Sequence, residues 1–204
     1  MSEKRDLIEH YHLHGTEFFM KNREKHREDG PAIINEVGEE WWVNGMRHRE
    51  DGPAICMRNG SKIWYQHNKY HRVDGPAVDL SNGLKEWWVE GKLHRLDGPA
   101  YEFGYLKEWW VEGKLHRLDG PARDLRVREE WWFEGKKHRV DGPAVTKLRF
   151  FGTEYYWYLF DVKYNYEEDF NVALSEYKQN LEDALYYDLK INRDLTKLIK
   201  EFTI

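Results

Sequence analysis

Polar and apolar positions alternate in short runs along this chain, and no long helical period appears before about residue 165. In Lys85-Glu86-Trp87-Trp88-Val89, Trp87 and Val89 fall on one parity and Glu86 and Trp88 on the other. A period of two marks a strand with two unlike faces. Ala77-Val78-Asp79-Leu80 reads as its partner strand, and the intervening Asn82-Gly83, like Asn59-Gly60 earlier, is a strong hairpin signal. The second strand ends at Glu90-Gly91. The chain then passes through His94-Arg95-Leu96-Asp97-Gly98-Pro99 to the next strand. The Asp-Gly step is expected to supply a residue tolerant of positive φ. Proline sits at the strand entrance, where its missing N–H does least harm. Glycine and proline recur too often for a helix here.

This two-strand unit repeats. His-Arg-x-Asp-Gly-Pro-Ala occurs six times, starting at His26, His48, His71, His94, His116 and His138, in steps of 22, 23, 23, 22 and 22 residues. Seven residues before each histidine stands a first aromatic: Phe19, Trp41, Trp64, Trp87, Trp109 and Trp131. A second aromatic follows in five units: Trp42, Tyr65, Trp88, Trp110 and Trp132. The expected fold is therefore mainly β, an elongated antiparallel sheet of tandem 22–23-residue β-hairpin repeats with a C-terminal α-helical cap.

Segments such as Glu86-Trp87-Trp88-Val89-Glu90-Gly91-Lys92-Leu93-His94 resemble MORN-type repeats, which run through an aromatic-rich strand, a Gly-Lys turn and a His-Gly step. The His-Arg-x-Asp-Gly-Pro-Ala variant resembles repeats in proteins of bacteriophages and large DNA viruses. The resemblance covers roughly residues 15–165. It departs from the standard pattern where Arg-x-Asp-Gly-Pro replaces the short glycine step. It implies a single-layer antiparallel sheet used for protein contact or scaffolding and, in the viral version, a protein directed at a host or defence protein in the host cytoplasm. Lipid binding, also proposed for MORN proteins, lacks the basic stripe that would support it here.

Residues 1–165 are expected to form the repeat array, with Leu7 to Met20 a half-unit and Trp157 to Tyr164 a degenerate seventh unit. Residues 166–204 form the cap. Tyr166, Phe170, Leu174, Tyr177, Leu181 and Leu185 are spaced by three and four, as on one helix face. Asn165 with Glu168 resembles a capping box. Asn192 to Phe202 reads as a second short helix, with Leu195, Leu198, Ile199 and Phe202 on its apolar side.

Strand alternation separates the two aromatic rows. The first row (Trp87, Trp109 and Trp131 in the later units) is expected to be a core ladder. The second row, Trp42, Tyr65, Trp88, Trp110 and Trp132, is expected to share the opposite face with Glu90, Glu112 and Glu134 and to be partly exposed. Tryptophan among carboxylates suits a cationic protein segment. The formal net charge of −5 gives no field for nucleic acid. No run approaches the length of a membrane span, and the charged start of the chain leads into no apolar signal segment. The single cysteine, Cys56, suits a reducing compartment such as the cytoplasm.

Chemistry is sparse. Histidines two strands apart stand roughly 9–10 Å from one another, too far for one metal ion, so the six repeat histidines form a ladder. They are expected to stabilise turns, the histidine with a backbone carbonyl or carboxylate and the arginine with the aspartate. His10, His12, His14 and His67 show no ligand spacing. No phosphate loop, catalytic pair or cofactor motif stands out, so no catalytic residue, metal or cofactor is assigned. The expected function is a non-enzymatic protein-interaction scaffold, with self-association left open. The first alternative is a groove for carbohydrate or exposed bases on the second aromatic row. A remoter one is an enzyme site between the sheet and the tail.

Overall fold

A computed structural model describes residues 8–182 and 184, which divide into two compact units between Lys136 and Lys137. The expected second helix at Asn192 to Phe202 lies outside the described residues, as do Leu7 and Leu185.

The first unit is an antiparallel sheet in which chain order and spatial order agree. Each repeat adds one strand after its Pro-Ala step and one before its first aromatic. Val78–Asp79 pairs with Lys85–Glu86, which pairs with Tyr101–Phe103 of the next repeat, which pairs with Leu106–Glu108. The link between repeats recurs at Glu40 with Ile55, Ile63 with Val78 and Glu108 with Arg123. At the N-terminal end Glu9–Leu13 pairs with Thr16–Lys21 across a His14-Gly15 turn, completing the expected half-unit as a hairpin of its own.

The second strand of each repeat is not continuous. It bends at the first aromatic, and beyond the bend lies a separate short hairpin, such as Trp88–Val89 with Lys92–Leu93 or Trp110–Val111 with Lys114–Leu115. The bend keeps its backbone groups paired. Trp87 N–H donates to the Ala100 carbonyl at 2.8 Å, and the Trp87 carbonyl accepts from His94 N–H at 2.9 Å. Each short hairpin closes through two residues of positive φ, Asn44-Gly45, His67-Asn68, Glu90-Gly91 and Glu112-Gly113, a turn whose twist matches the strands it joins. Adjacent short hairpins are tied together, with Gly91 N–H on the Tyr70 carbonyl and Gly113 N–H on the Leu93 carbonyl, both at 2.9 Å. The Asn-Gly pairs close the wide hairpins differently. Positive φ falls on Gly60 and Gly83 alone, while Asn59 and Asn82 accept from the backbone N–H two residues on.

The most completely enclosed apolar positions are the alanines of the motif. Ala32, Ala54, Ala77, Ala100 and Ala122 are fully buried, whereas Trp41, Trp64, Trp87 and Trp109 are half-buried. The first aromatic row is thus not the sealed core that alternation predicts. A single-layer sheet leaves a large ring partly open to solvent even under its arginine, whereas the alanine methyl groups are fully covered.

In the second unit Val145–Arg149 pairs with Gly152–Leu159, which pairs with Val162–Tyr164. A helix runs through 167–182. Phe170 and Leu174 pack with Leu159 in a buried cluster bordered by Trp157, Tyr164, Ala173 and Tyr177. Asn165 does not cap this helix; its first hydrogen bond runs from Phe170 N–H to the Tyr166 carbonyl. Within this unit the helix therefore covers the last hairpin, as the three-and-four spacing predicts. No helix among the described residues is long and apolar enough to cross a membrane.

Candidate interaction surface at the His-Arg loops

Each His-Arg-x-Asp-Gly-Pro loop is built around a clamped arginine. The Arg95 guanidinium lies 4.0 Å above the Trp87 ring, donates from Nε to Asp97 at 2.8 Å and donates from Nη1 to the Pro99 carbonyl at 3.1 Å. The same arrangement recurs at Arg27 on Phe19, Arg49 on Trp41, Arg72 on Trp64 and Arg117 on Trp109, all within 4.0–4.1 Å. The arginine hydrogen bond, and then its charge, hold the Asp29, Asp51, Asp74, Asp97 and Asp119 carboxyls below the usual carboxylate range. These aspartates are ionised at neutral pH.

The clamp explains the glycine and corrects the expectation about it. Gly30, Gly52, Gly75, Gly98 and Gly120 do not adopt positive φ. A Cβ on Gly98 would stand 2.8 Å from the Arg95 Cζ, and one on Gly120 would stand 2.6 Å from the Arg117 Cζ. Glycine is present so that a guanidinium can lie flat against the backbone.

The histidine works across repeats, and as an acceptor. His71 Nδ1 accepts from Glu90 N–H and His94 Nδ1 from Glu112 N–H, both at 3.2 Å. His26 takes Asn44 N–H at 3.0 Å in the same way. These imidazoles therefore satisfy the left-handed turn of the following short hairpin through a backbone N–H instead of the expected carbonyl. The expected carboxylate partner is present at His71, with Glu90 at 2.9 Å, and at His26, with Glu28 at 3.5 Å. At His26 and His94 an accepting Nδ1 leaves the ring proton on Nε2, whereas His71 Nδ1 also faces the Glu90 carboxylate, so the N–H contact does not set its tautomer.

The second aromatic row is occupied internally. Trp42, Trp88, Trp110 and Trp132 each donate their indole N–H to the glutamate two residues back, Glu40, Glu86, Glu108 and Glu130, at 2.7–3.0 Å. Glu108 and Glu130 are buried, with Arg123 on Glu108 at 2.6 Å and Arg128 paired to Glu130. Lys25 and Arg47 already flank the Trp42 ring at 4.2 and 4.7 Å. Tyr65 is buried against Tyr70, with ring centroids 4.6 Å apart, and burial pushes its hydroxyl pKa upward. Glu90, Glu112 and Glu134 do not continue the strand face of the tryptophans. They are the first turn residues, at φ of 48–49°, and the Glu90 carboxylate meets His71 at 2.9 Å and Lys69 at 3.6 Å. Alternation assigned them to that face because it assumed the strand ran one residue further.

What the sequence reading missed is a row of clefts between successive loops. One lies between Arg72–Pro76 and His94–Asp97, floored by Trp87. Equivalent clefts are floored by Trp41, Trp64 and Trp109. No second-row aromatic lines any of these four. The loop residue between arginine and aspartate stands out beside them, with Val73 at 81%, Leu96 at 80% and Leu118 at 76% exposure. Each loop turns its carboxylate outward and holds its cation inward, Asp97 being 83% exposed and Arg95 22%. The only earlier signal for the clefts was the motif's recurrence at fixed distance from the first aromatic.

The structure also brings together three side chains that the spacing did not single out. His10, His12 and Glu17 of the N-terminal hairpin place one ligand atom each within 4.8 Å of the other two.

No family model, curated protein or solved structure matches this chain.

Proposed function

We propose that this protein is a non-enzymatic interaction scaffold of MORN-like repeats that binds an extended, cation-bearing segment of a partner protein along its His-Arg loops. The observation that carries this reading is the row of four equivalent clefts, each floored by an arginine-covered tryptophan and rimmed by an outward aspartate. Equivalent loops are two strands apart, roughly 9–10 Å. Three residues of extended or polyproline II chain span about the same distance. A partner with lysine or arginine at every third position would set one cation against each aspartate. Its intervening residues would then meet Val73, Leu96 and Leu118. The net charge of −5 favours the same partner. On the resemblance to phage and viral repeat proteins, that partner is a host or defence protein met in the host cytoplasm.

The test is a fluorescein-labelled peptide with lysine at every third position over four loop spacings, compared with one of equal composition whose lysines are clustered. The spaced peptide should bind more tightly, and binding should weaken as salt rises. Combining Asp51→Asn, Asp74→Asn and Asp97→Asn should weaken it further. Equal binding of the two peptides, or an unchanged triple variant, would refute the loop surface.

A further inference from the structure

We infer that the N-terminal hairpin carries a site for one borderline divalent cation of the zinc class, formed by His10, His12 and Glu17. The site follows from register. His10 and His12 are two apart on the strand Glu9–Leu13, so their side chains leave the same face. Antiparallel pairing places Phe19 opposite His10 and Glu17 opposite His12, on that face as well. His10 Nε2 lies 3.4 Å from Glu17 Oε2, and the two imidazole centroids are 5.0 Å apart. The three ligand atoms all fall within 4.8 Å of one another. Two donors bound at about 2.1 Å in a tetrahedral zinc site stand roughly 3.4 Å apart. The His10–Glu17 pair is already at that separation, and small rotations of exposed side chains close the rest.

Two further features favour a cation here. The His10 ring stacks on Phe19 at 4.3 Å with planes 9° apart, which fixes its orientation before any metal arrives. The donor set, two imidazoles and one carboxylate, matches zinc, nickel or copper and disfavours calcium and magnesium, which take oxygen ligands. Three protein ligands leave the fourth position to water. All five residues of Glu9–Leu13 are exposed, so packing does little to hold this first strand of the array. A metal bridging His10 and His12 to Glu17 would pin it to its neighbour. The repeat histidines do not take part, because they belong to a ladder and accept backbone N–H groups at Nδ1.

The test uses the full chain without a histidine tag. Cobalt is titrated in as a spectroscopic substitute, and zinc is then added to displace it. One equivalent should bind with a four-coordinate absorption spectrum. His12→Gln and Glu17→Gln should each weaken binding by about a hundredfold, at or beyond what loss of an outer-shell partner costs. His94→Gln, in the repeat ladder, should not. Independently of any variant, zinc should slow amide hydrogen exchange in residues 9–13 of the unaltered protein. Absence of a stoichiometric cobalt spectrum, an affinity that His12→Gln leaves unchanged, or exchange in 9–13 indifferent to zinc would each overturn the assignment.

Discussion

Arg95 shows how four residues of the motif serve one purpose. Its guanidinium stacks on Trp87, bonds Asp97 and the Pro99 carbonyl, and passes so close to Gly98 that a Cβ there would require it to shift. The recurrence of arginine, aspartate, glycine and proline at fixed spacing was legible as a unit, and the arginine–aspartate pairing with it. The reason for the glycine was not, because Asp-Gly in a loop has two physical explanations. Positive φ and close approach give the same sequence, and only the backbone angles separate them. The two explanations predict different energetics. Arg95→Ala removes a partly desolvated cation–π stack, and Gly98→Ala should push the guanidinium off the ring. Each should cost about 1–2 kcal/mol, the upper range for such contacts. The double variant should cost little more than Arg95→Ala alone, because both substitutions remove the same contact. Urea unfolding of the four proteins decides it. Additive losses would mean that Gly98 serves some other requirement.

At the scale of elements, periodicity worked where one face is buried and misled where the chain bends. The helix over 167–182 was legible because Phe170 and Leu174 must face Leu159, and their spacing records it. Tyr166, which precedes the helix, and Leu181 are on the same predicted stripe but are 70% and 46% exposed; the contacts with the hairpin cluster fall between Phe170 and Tyr177. Alternation runs unbroken through Trp87 and Trp88, because tandem aromatics obscure the bend at the first of them. The short hairpin beyond it was hidden for that reason, and Glu90 was placed on a face when it belongs to a turn. His138 lends the second unit a dependence on pH. Its ring stacks on Phe160 at 4.0 Å and meets Tyr177 edge-on at 6.2 Å, and burial lowers its pKa below the ordinary histidine value. The unfolded chain therefore takes up a proton at higher pH than the folded one. The stabilisation tied to neutral His138 is complete above about pH 6.5, the unfolded value, and is lost as pH falls towards the lowered folded value. The melting temperature of the second unit should drop on acidification across that window. A His138→Phe variant, which keeps a ring against Phe160, should drop less. Parallel curves for the two proteins would show that His138 does not report on this packing.

Across the whole molecule the repeats make stability a neighbour-by-neighbour property. Ala32, Ala54, Ala77, Ala100 and Ala122 are fully enclosed, and their carbonyls accept the N–H of the preceding unit's first aromatic, as Trp64 N–H does to Ala77 at 2.7 Å. The alanine ladder, more than the tryptophans, is where one repeat locks into the next. Single-sequence patterning underrates it because alanine carries little hydrophobic signal, while its recurrence at a fixed place was in plain view. Extra methyl groups at such a site force strain of about 1–3 kcal/mol. In a quasi-one-dimensional array the consequence depends on position, since an end unit loses one interface and a central unit loses two. Ala32→Val should therefore loosen the N-terminal hairpins and leave the later repeats close to their original protection. Ala77→Val should divide the first unit, lowering protection on both sides of the substitution. Hydrogen exchange resolved along the sequence measures this directly. If both variants lowered protection uniformly from Glu9 to Glu130, the first unit would be one cooperative block, and its repeats would share a single transition instead of passing stability from neighbour to neighbour.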